Sequence, residues 1–344
     1  MSGQRAHPAL DGFRWVAALL VVAIHTSPLS GVSEVADFLL TRVLGRVAVP
    51  FFFMTTGCFM AAHLNDGAWL RRQLYRLAAM YGAAVVAYLP LNAYAGALNR
   101  PDFGAWLRAL LLDGTFYHLW YLPAVMLGLC ITWALLRAGG MKAALAASGA
   151  LYALGLLGDS YYGLIAGTPL DGLYALLFRC FAQTRNGLFF APVFLVLGAA
   201  LGRRRPDART AAVGLALSLA GMSAEALFLR RMGWMRHDSM YMCLIPAMIC
   251  LFSLLLACNA AQRPRWRTRT MLVYLLHPWV IVLVRGAAKS LGRKALFIEN
   301  AGVHFLAVAA LSIALALLLE RMAAEIGKAR RKAALGLSEV QKEI

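Results

Sequence analysis

Charged side chains are scarce in this sequence, and acidic ones are the scarcest. Only 15% of the 344 residues are charged, whereas a typical soluble domain has about 25%. Hydrophobic residues make up 61% of the chain, and the mean hydropathy is +0.66. This composition excludes an ordinary soluble domain and indicates a protein that crosses a membrane several times.

Motifs of several common chemistries are also missing. The six cysteines form no CxxC pair, which argues against a zinc site. No GxSxG motif is present, so a serine acyl-enzyme is not indicated. The net charge of +18 is distributed over short segments between apolar runs, whereas a nucleic-acid-binding domain clusters its basic residues on one face. We therefore expect no metal and no nucleic acid, and we expect the lipid bilayer as a partner.

Long apolar runs recur from one end of the chain to the other. They predict an all-α, polytopic transmembrane helix bundle of about ten spans, each close to the ~20 residues that a bilayer helix needs. The bundle is expected in residues 1–325 and a short basic cytoplasmic tail in 326–344. Lys and Arg are more frequent in the segments predicted to lie inside, so both termini are expected to be cytoplasmic. The predicted spans are 13–31, 43–62, 77–95, 117–137, 141–158, 186–201, 211–229, 238–258, 270–288 and 303–322.

The first run, FRWVAALLVVAIH (13–25), has a charged group near one end and an imidazole at the other. The spacing of Arg14 and His25 places both side chains on one helix face, about 16 Å apart along the axis. In one interpretation, Arg14 snorkels to the headgroups and His25 packs against a polar neighbour. In the other, the helix lines a polar pathway, with Arg14 holding an anion at the inner mouth and His25 moving protons deeper in.

Further polar side chains are expected in the outer half of other spans. Arg46 is either an interfacial residue or a binder of a carboxylate or oxyanion. Trp120 is either part of an aromatic belt or a substrate contact, and His118 is either interfacial or faces the same cavity as His25. An acidic side chain in a membrane requires a partner or a function, so Glu225 is either catalytic or paired with Arg46.

His277 and the pair Arg72 and Arg76 each have two possible interpretations. His277 precedes Pro278 in YLLHPWV, where it either packs at a helix kink or contacts a substrate. On the inner side, RRQLYR (71–76) contains Arg72 and Arg76. Their positive charge marks a cytoplasmic loop, but guanidinium groups also bind polyphosphates such as that of acyl-CoA.

The stretch LDGFRWVAALLVVAIH resembles the opening motif of the acyltransferase-3 family, in which ten residues separate an Arg or Lys from a His. RVAVPFFFMTTGCFM, HLWYLPA and YLLHPWV resemble later motifs of that family. The resemblance implies a bacterial inner-membrane enzyme that transfers an acyl group, most simply acetyl, from cytoplasmic acyl-CoA to a hydroxyl or amino group of a small-molecule or glycan acceptor. It implies Arg14 and His25 as the catalytic pair, with His25 as general base. Arg72 and Arg76 would contact the donor, although their spacing is one residue longer than the usual RxxR.

A closer resemblance is to the membrane domain of VanT-type serine racemases. It is carried by VPFFFMTTG, DGTFYHLWYLPA, GLLGDSYYGLI, TRNGLFFAPVFLVLGA and RHDSMY. That domain precedes a cytoplasmic pyridoxal-phosphate racemase and is linked to serine supply. The 344 residues hold no segment for such a racemase, so a racemase or glycan-synthesis enzyme is expected only as a separate partner. The resemblance implies a second hypothesis, a carrier or sensor for a small amino acid such as L-serine, with Arg46 and Glu225 gripping its carboxylate and ammonium.

Overall fold

The computed structural model describes residues 8–97, 102–202, 207–258 and 266–340, with side chains as far as residue 328. Within these ranges the chain is helical and has no β-strand, and seven helices are long and apolar enough to cross a membrane. The polytopic helical bundle expected from the sequence is therefore confirmed. The cytoplasmic placement of the termini and the number of spans stay predictions. Of the basic residues on which the orientation depends, those in 1–7, 98–101, 203–206, 259–265 and 341–344 lie outside the described ranges.

The described helices agree with most of the predicted spans and add three short ones. The last helix continues through the boundary predicted at residue 325, so the described part of the tail is its extension. The helices are α1 (Pro8–Thr26), α2 (Glu34–Phe38), α3 (Ala48–Met60), α4 (Gly67–Tyr94), α5 (Phe103–Arg108), α6 (Tyr121–Leu157), α7 (Pro169–Cys180), α8 (Ala191–Leu201), α9 (Ala208–Met232), α10 (Leu244–Ala257), α11 (Trp266–Ser290) and α12 (Ala301–Val340). The three added helices are α2, α5 and α7.

Several predicted boundaries are wrong for local reasons. The first span, predicted to reach residue 31, ends at Thr26 because Ser27 has a positive φ of 49° and Pro28 follows. The fourth and fifth predicted spans are joined in α6, where only Gly140 departs from helical geometry (φ 67°, ψ −171°). Since α6 begins at Tyr121, His118 lies in the turn before the helix rather than inside it.

Two apolar helices are much shorter than predicted. The spans expected over 186–201 and 238–258 are helical only over the 11 residues of α8 and the 14 of α10. These helices are about 16 and 21 Å long, which is less than the ~30 Å core of a bilayer. Each follows an irregular segment, 181–190 and 233–243 respectively. Those two segments bring polar side chains into the bundle.

Helices α3 and α8 cross with their backbones in contact. A Cβ on Gly57 would lie 1.9 Å from the carbonyl oxygen of Leu195, and one on Gly198 would lie 2.0 Å from that of Met54. Glycines permit this approach because they have no side chain, as in other membrane helix pairs. Gly57 and Gly198 therefore account for the close approach of the two helices. It holds the segment before α8 beside the segment before α3, which contains Arg46.

The start of α3 is irregular in a way that the sequence did not indicate. Between α2 and α3 the chain passes through a π-helical turn, Leu39–Val43, and a 3₁₀ turn, Leu44–Val47. Arg46 is in the 3₁₀ turn. This change of pitch directs Arg46 toward the bundle, where its side chain is buried.

Candidate functional site

Three cavities adjoin one another along α1. The central cavity has a volume of about 50 Å³ and is lined by His25, Arg46, His118, Trp120 and Arg185, among others. Toward the start of α1 it shares Val21, Val49, Tyr121 and Tyr274 with a narrow cavity of about 20 Å³ that contains Arg14. In the opposite direction it opens into a vestibule of about 370 Å³, with which it shares His25, Arg46, Tyr117, Trp120 and Arg185. We call these the Arg14 cavity, the central cavity and the Arg46 vestibule.

Three histidines from three parts of the chain meet at the central cavity. The rings of His25 and His277 are stacked with centroids 5.3 Å apart, and the His118 ring is 5.4 Å from His277. Tyr117 packs on the other side of His25 at 4.6 Å. His118 and His277 are almost fully buried. The sequence prediction that His25 and His118 face one cavity agrees with this geometry.

The proline after His277 explains how that ring is held. Pro278 lacks an N–H group, so the carbonyl of Tyr274 one turn earlier loses its helical partner. His277 Nδ1 donates to this carbonyl at 2.8 Å, and the Tyr88 hydroxyl donates to the next one, Leu275, at 2.6 Å. The bond at Nδ1 leaves Nε2 of a neutral His277 ring without its proton. His277 therefore orients His25 by stacking and does not itself line the central cavity.

The Arg14 cavity has two guanidinium groups and one carboxylate. Arg14 Nε lies 3.1 Å from Asp11 Oδ1, and Arg267 Nε lies 3.0 Å from the same oxygen. Asp11 precedes Arg14 by three residues, so this pair follows from helix geometry. Arg267 arrives on α11, from the basic stretch RWRTR. One carboxylate shared by two cations leaves a net positive charge at this end of the pathway.

The Arg46 vestibule contains a larger group of charges. Arg46 Nε donates to the Asp238 carbonyl at 2.8 Å, and its Nη2 forms a short ion pair with the Asp238 carboxylate. Arg42 Nε lies 3.5 Å from the other carboxylate oxygen. The Arg46 side chain is only 6% exposed, so its interpretation as an interfacial residue is wrong. Arg185 lines the vestibule as well, without a carboxylate within ion-pair distance among the described residues.

Trp120 is a wall of this site and not part of an aromatic belt. Only 9% of it is exposed, because it packs against Phe53 and Phe190. The Arg185 guanidinium lies 4.4 Å above its ring. The belt interpretation of Trp120 is therefore wrong. Trp120 lines the central cavity and the Arg46 vestibule, and its role as a substrate contact stays a prediction.

A buried carboxylate organises the loop that carries Asp238. Asp159 is fully buried, and its Oδ1 accepts hydrogen bonds from Ser239 N at 2.7 Å and from Met240 N at 2.9 Å. Ser160 Oγ donates to the same oxygen at 2.9 Å. Burial raises the pKa of the Asp159 carboxyl. Asp159 does not line the vestibule. It fixes the position of the 233–243 segment, which carries Asp238.

Glu225 is outside the three cavities, and the expected ion pair with Arg46 does not form. Its carboxylate accepts hydrogen bonds from the Tyr161 hydroxyl at 2.7 Å and from the backbone N–H groups of Met242 and Cys243 at 2.6 and 2.8 Å. These are the unpaired donors at the start of α10, which an acidic group satisfies well. The prediction that Glu225 pairs with Arg46 is wrong because the short α10 requires a cap and Asp238 is nearer to Arg46.

Arg72 and Arg76 also lie away from the cavities. Both are exposed on α4, and Arg72 Nη2 is 3.3 Å from Asp66 near the start of the same helix. The guanidinium groups that line the Arg14 cavity are instead those of Arg14 and Arg267. Within the described residues, no group of three or more His, Cys, Asp or Glu side chains is arranged to hold a metal ion.

Sequence reasoning missed four residues of this arrangement: Arg42, Asp159, Arg185 and Asp238. Three of them are in stretches that were already noticeable, GDS, TRNG and RHDS, where polar residues interrupt apolar sequence. Such polar interruptions of apolar sequence were the signal that could have identified these three residues. Spacing alone could not reveal the pairing of Arg46 with Asp238, because 192 residues separate the two.

Comparison with known proteins agrees with this architecture. An acyltransferase domain model of the acyltransferase-3 family matches residues 7–321. The chain is 36% identical over 338 residues to an amino-acid racemase of Enterococcus faecalis, covering 96% of this chain and 47% of the relative. It is 34% identical over 317 residues to a serine/alanine racemase of Enterococcus gallinarum, covering 88% and 44%. No solved structure matches.

The chain spans about half the length of the curated relatives that it matches. The similarity is thus to one part of proteins whose printed names describe racemases. The family model, in contrast, covers nearly the whole chain, including every residue that lines the three cavities. The chain belongs to the acyltransferase-3 family.

Proposed function

We propose that the protein is an integral-membrane acyltransferase of a bacterial inner membrane. It moves an acyl group, most simply acetyl, from cytoplasmic acyl-CoA to a hydroxyl or amino group of a membrane-associated or extracytoplasmic acceptor. The observation that carries this proposal is the series of adjoining cavities from Arg14 past His25 to the Arg46 vestibule. Donor and acceptor can therefore approach the same imidazole from opposite ends.

The donor end suits a thin, flexible chain that carries an anion. The Arg14 cavity is narrow, and its remaining lining is mostly apolar and aromatic. Its surplus positive charge attracts the phosphates of acyl-CoA. The distance from Arg14 to His25, about 16 Å along the helix, is comparable with the reach of a pantetheine arm. Phosphates held near Arg14 and Arg267 would thus place the thioester beside His25.

His25 is the general base in this proposal. It takes the proton of the acceptor hydroxyl or amine as that atom attacks the thioester carbon. The new bond to the acyl carbon forms, the carbon–sulfur bond breaks, and the thiolate of CoA receives the proton from His25. His118, whose two ring nitrogens have no hydrogen-bond partner within the described residues, is a donor for the carbonyl oxygen on which negative charge develops.

Reconstituted full-length protein with labelled acetyl-CoA tests this function. Label should appear on an added or co-purified acceptor, or as slowly released acetate. His25→Ala should abolish both. His63→Ala is the matched control, because His63 stacks on Trp69 at 5.0 Å near the start of α4 and lines none of the three cavities. Equal turnover in wild type and His25→Ala would contradict the proposal.

A second candidate is a carrier or sensor for a small amino acid. It is favoured by the vestibule, where guanidinium groups suit the carboxylate of an amino acid, and by relatives named as amino-acid and serine/alanine racemases. Counterflow of labelled L-serine into the same liposomes, without any turnover of acetyl-CoA, would favour the carrier and exclude the enzyme.

A further inference from the structure

The Arg46 vestibule has more positive charge than its own carboxylates neutralise. Arg42, Arg46 and Arg185 line it, and Arg42 and Arg46 share the Asp238 carboxylate. The vestibule's other acid, Asp113, lies 3.0 Å from Arg108 Nε and accepts the backbone N–H of Ala182 at 3.0 Å. Asp113 is therefore already paired, and Arg185 is left without an anionic partner within the described residues.

The Arg185 side chain is held in place by its neighbours, but one of its hydrogen-bond donors has no acceptor among the described residues. Its guanidinium stacks on the Trp120 ring at 4.4 Å, and its Nη2 donates to Gln183 Oε1 at 3.0 Å. Its Nε is buried and has no hydrogen-bond partner among the described residues. A buried donor without an acceptor is destabilising, and such orphaned groups are retained where a ligand supplies the acceptor. Because the side chain is oriented in advance, little conformational entropy is lost when an anion binds.

The vestibule is of a size for a small molecule. Its volume of about 370 Å³ falls in the lower part of the range for small-ligand sites, roughly 300–1,000 Å³. Guanidinium groups favour planar carboxylates, which they bind through two parallel hydrogen bonds.

We propose that this vestibule binds the carboxylate of a small amino-acid acceptor, with Arg185 as its main anchor. The inference rests on the proposed function, because it assigns the acceptor end of the same pathway. With L-serine as acceptor, the hydroxyl oxygen bonds to the acyl carbon and the carbon–sulfur bond breaks. The proton passes through His25 to the CoA thiolate, and the products are O-acetylserine and CoA.

Binding of labelled L-serine to the purified full-length protein tests this inference. L-serinamide and inorganic phosphate are the competitors: the amide keeps the hydroxyl and ammonium but has no carboxylate, and phosphate is an anion of another shape. We expect unlabelled L-serine to displace the label at least 10-fold more effectively than either competitor. Equal competition by L-serinamide, stronger competition by phosphate, or no binding of L-serine would each overturn the inference.

Variants assign the binding to the vestibule. Arg185→Gln should weaken L-serine binding at least 10-fold, and Arg185→Lys should weaken it less because the charge remains. Arg231→Gln is the matched control, since Arg231 is exposed on α9 and outside the cavities. If Arg185→Gln unfolds, Arg42→Gln at the vestibule rim serves instead, with at least 3-fold weaker binding expected. Unchanged binding in folded Arg185→Gln, or in Arg42→Gln used in its place, would overturn the assignment.

A measurement of donor binding distinguishes a failure of the carboxylate site from a failure of the proposed acyltransferase function. Labelled acetyl-CoA should bind Arg185→Gln as it binds the wild type. Binding of L-serine that depends on Arg185, without acyl transfer, would refute the acyltransferase and retain the carboxylate site. Acyl transfer to another acceptor, without L-serine binding, would retain the acyltransferase and refute the carboxylate site.

Discussion

The two ends of the pathway are built differently, although both are positively charged. At the Arg14 end, Asp11 and Arg14 come from one helix turn, and Arg267 joins them from α11. At the Arg46 end, the charged groups come from segments that are far apart in the chain, with 192 residues between Arg46 and Asp238. The first end depends on helix periodicity, and the second depends on how irregular segments pack.

The two ends also differ in size and lining. The Arg14 cavity is about 20 Å³ and mostly apolar, whereas the Arg46 vestibule is about 370 Å³ and mixed in polarity. A narrow entrance excludes bulky polar molecules and admits an extended chain. A wide one admits a compact polar molecule. Under the proposed function, the two ends take different substrates, and His25, between them, is where those substrates meet.

The largest effect is expected at the meeting point. His25→Ala should lower kcat for acyl transfer by at least about 100-fold, as for loss of a general base. Binding at both ends should be unchanged, because the charged groups there remain. Single-turnover rates together with separate donor and acceptor binding measurements check this. Loss of donor binding with an unchanged chemical step would show that His25 has another role.

The next effects should separate the ends. Arg14→Gln should raise KM for acetyl-CoA about 10-fold, by removing a charge-assisted contact worth about 1.4 kcal/mol, and leave acceptor binding unchanged. Arg185→Gln should weaken acceptor binding and leave the KM for acetyl-CoA unchanged. Arg72→Gln is the control for Arg14→Gln, because Arg72 is exposed and outside the Arg14 cavity. If Arg72→Gln raises KM as much as Arg14→Gln does, the donor binds at α4 instead.

Stability should also differ between the ends. Asp238→Asn removes the anionic partner of a buried Arg46, and we expect a loss of about 1–3 kcal/mol. Arg267→Gln removes the partner of Asp11 whose side chain is 49% exposed and leaves the Arg14–Asp11 pair in place, so a loss below about 1 kcal/mol is expected there. Unfolding midpoints in denaturant measure both. Equal losses would show that the two ion-pair groups are equally shielded from solvent.

Asp159 offers a test of how the second end is held together. Asp159→Ala removes the acceptor for three donors and should cost about 1–2 kcal/mol, together with weaker L-serine binding. Asp159→Asn keeps an acceptor oxygen and should cost less than about 1 kcal/mol. Stability measurements on both variants, with L-serine binding, check this. Equal losses in the two variants would show that the negative charge is needed and not only the hydrogen bonds.

The same residue predicts a pH dependence. Burial raises the pKa of the folded Asp159 carboxyl, so the unfolded chain releases this proton at a lower pH than the folded one. The contribution of Asp159 to stability therefore falls as the pH rises from below the unfolded pKa through the folded pKa. Asp159→Asn should have a flatter stability profile over that acidic range. An unchanged profile would contradict the assignment of the shift to Asp159.

The smallest effect on function is expected at Glu225. Glu225→Gln still accepts hydrogen bonds from the start of α10 and should lose only a few tenths of a kcal/mol. Acyl transfer and L-serine binding should remain within about 2-fold of wild type, a difference of roughly 0.4 kcal/mol. Kinetics at saturating substrate check this. A large loss of transfer with normal stability would return Glu225 to the catalytic residues.

Most of the helical architecture could be predicted because apolar length is a local property of the sequence. The shared face of Arg14 and His25 could be predicted for the same reason. The late starts of α8 and α10 could not, because each apolar run begins in residues that the fold makes irregular. The roles of Trp120 and Arg46 were also ambiguous, because the same residues suit an interface and a buried site.

The sequence by itself determined that this is a multi-pass helical membrane protein with an Arg and a His on one face of its first helix. Helix periodicity and apolar length are enough for those conclusions, since both depend on neighbouring residues only. The tertiary structure decided that His277 stacks on His25, that Asp238 rather than Glu225 pairs with Arg46, and that Arg185 faces the vestibule. These contacts join distant segments, and their formation depends on the packing of α3, α8, α10 and α11, which no local pattern specifies.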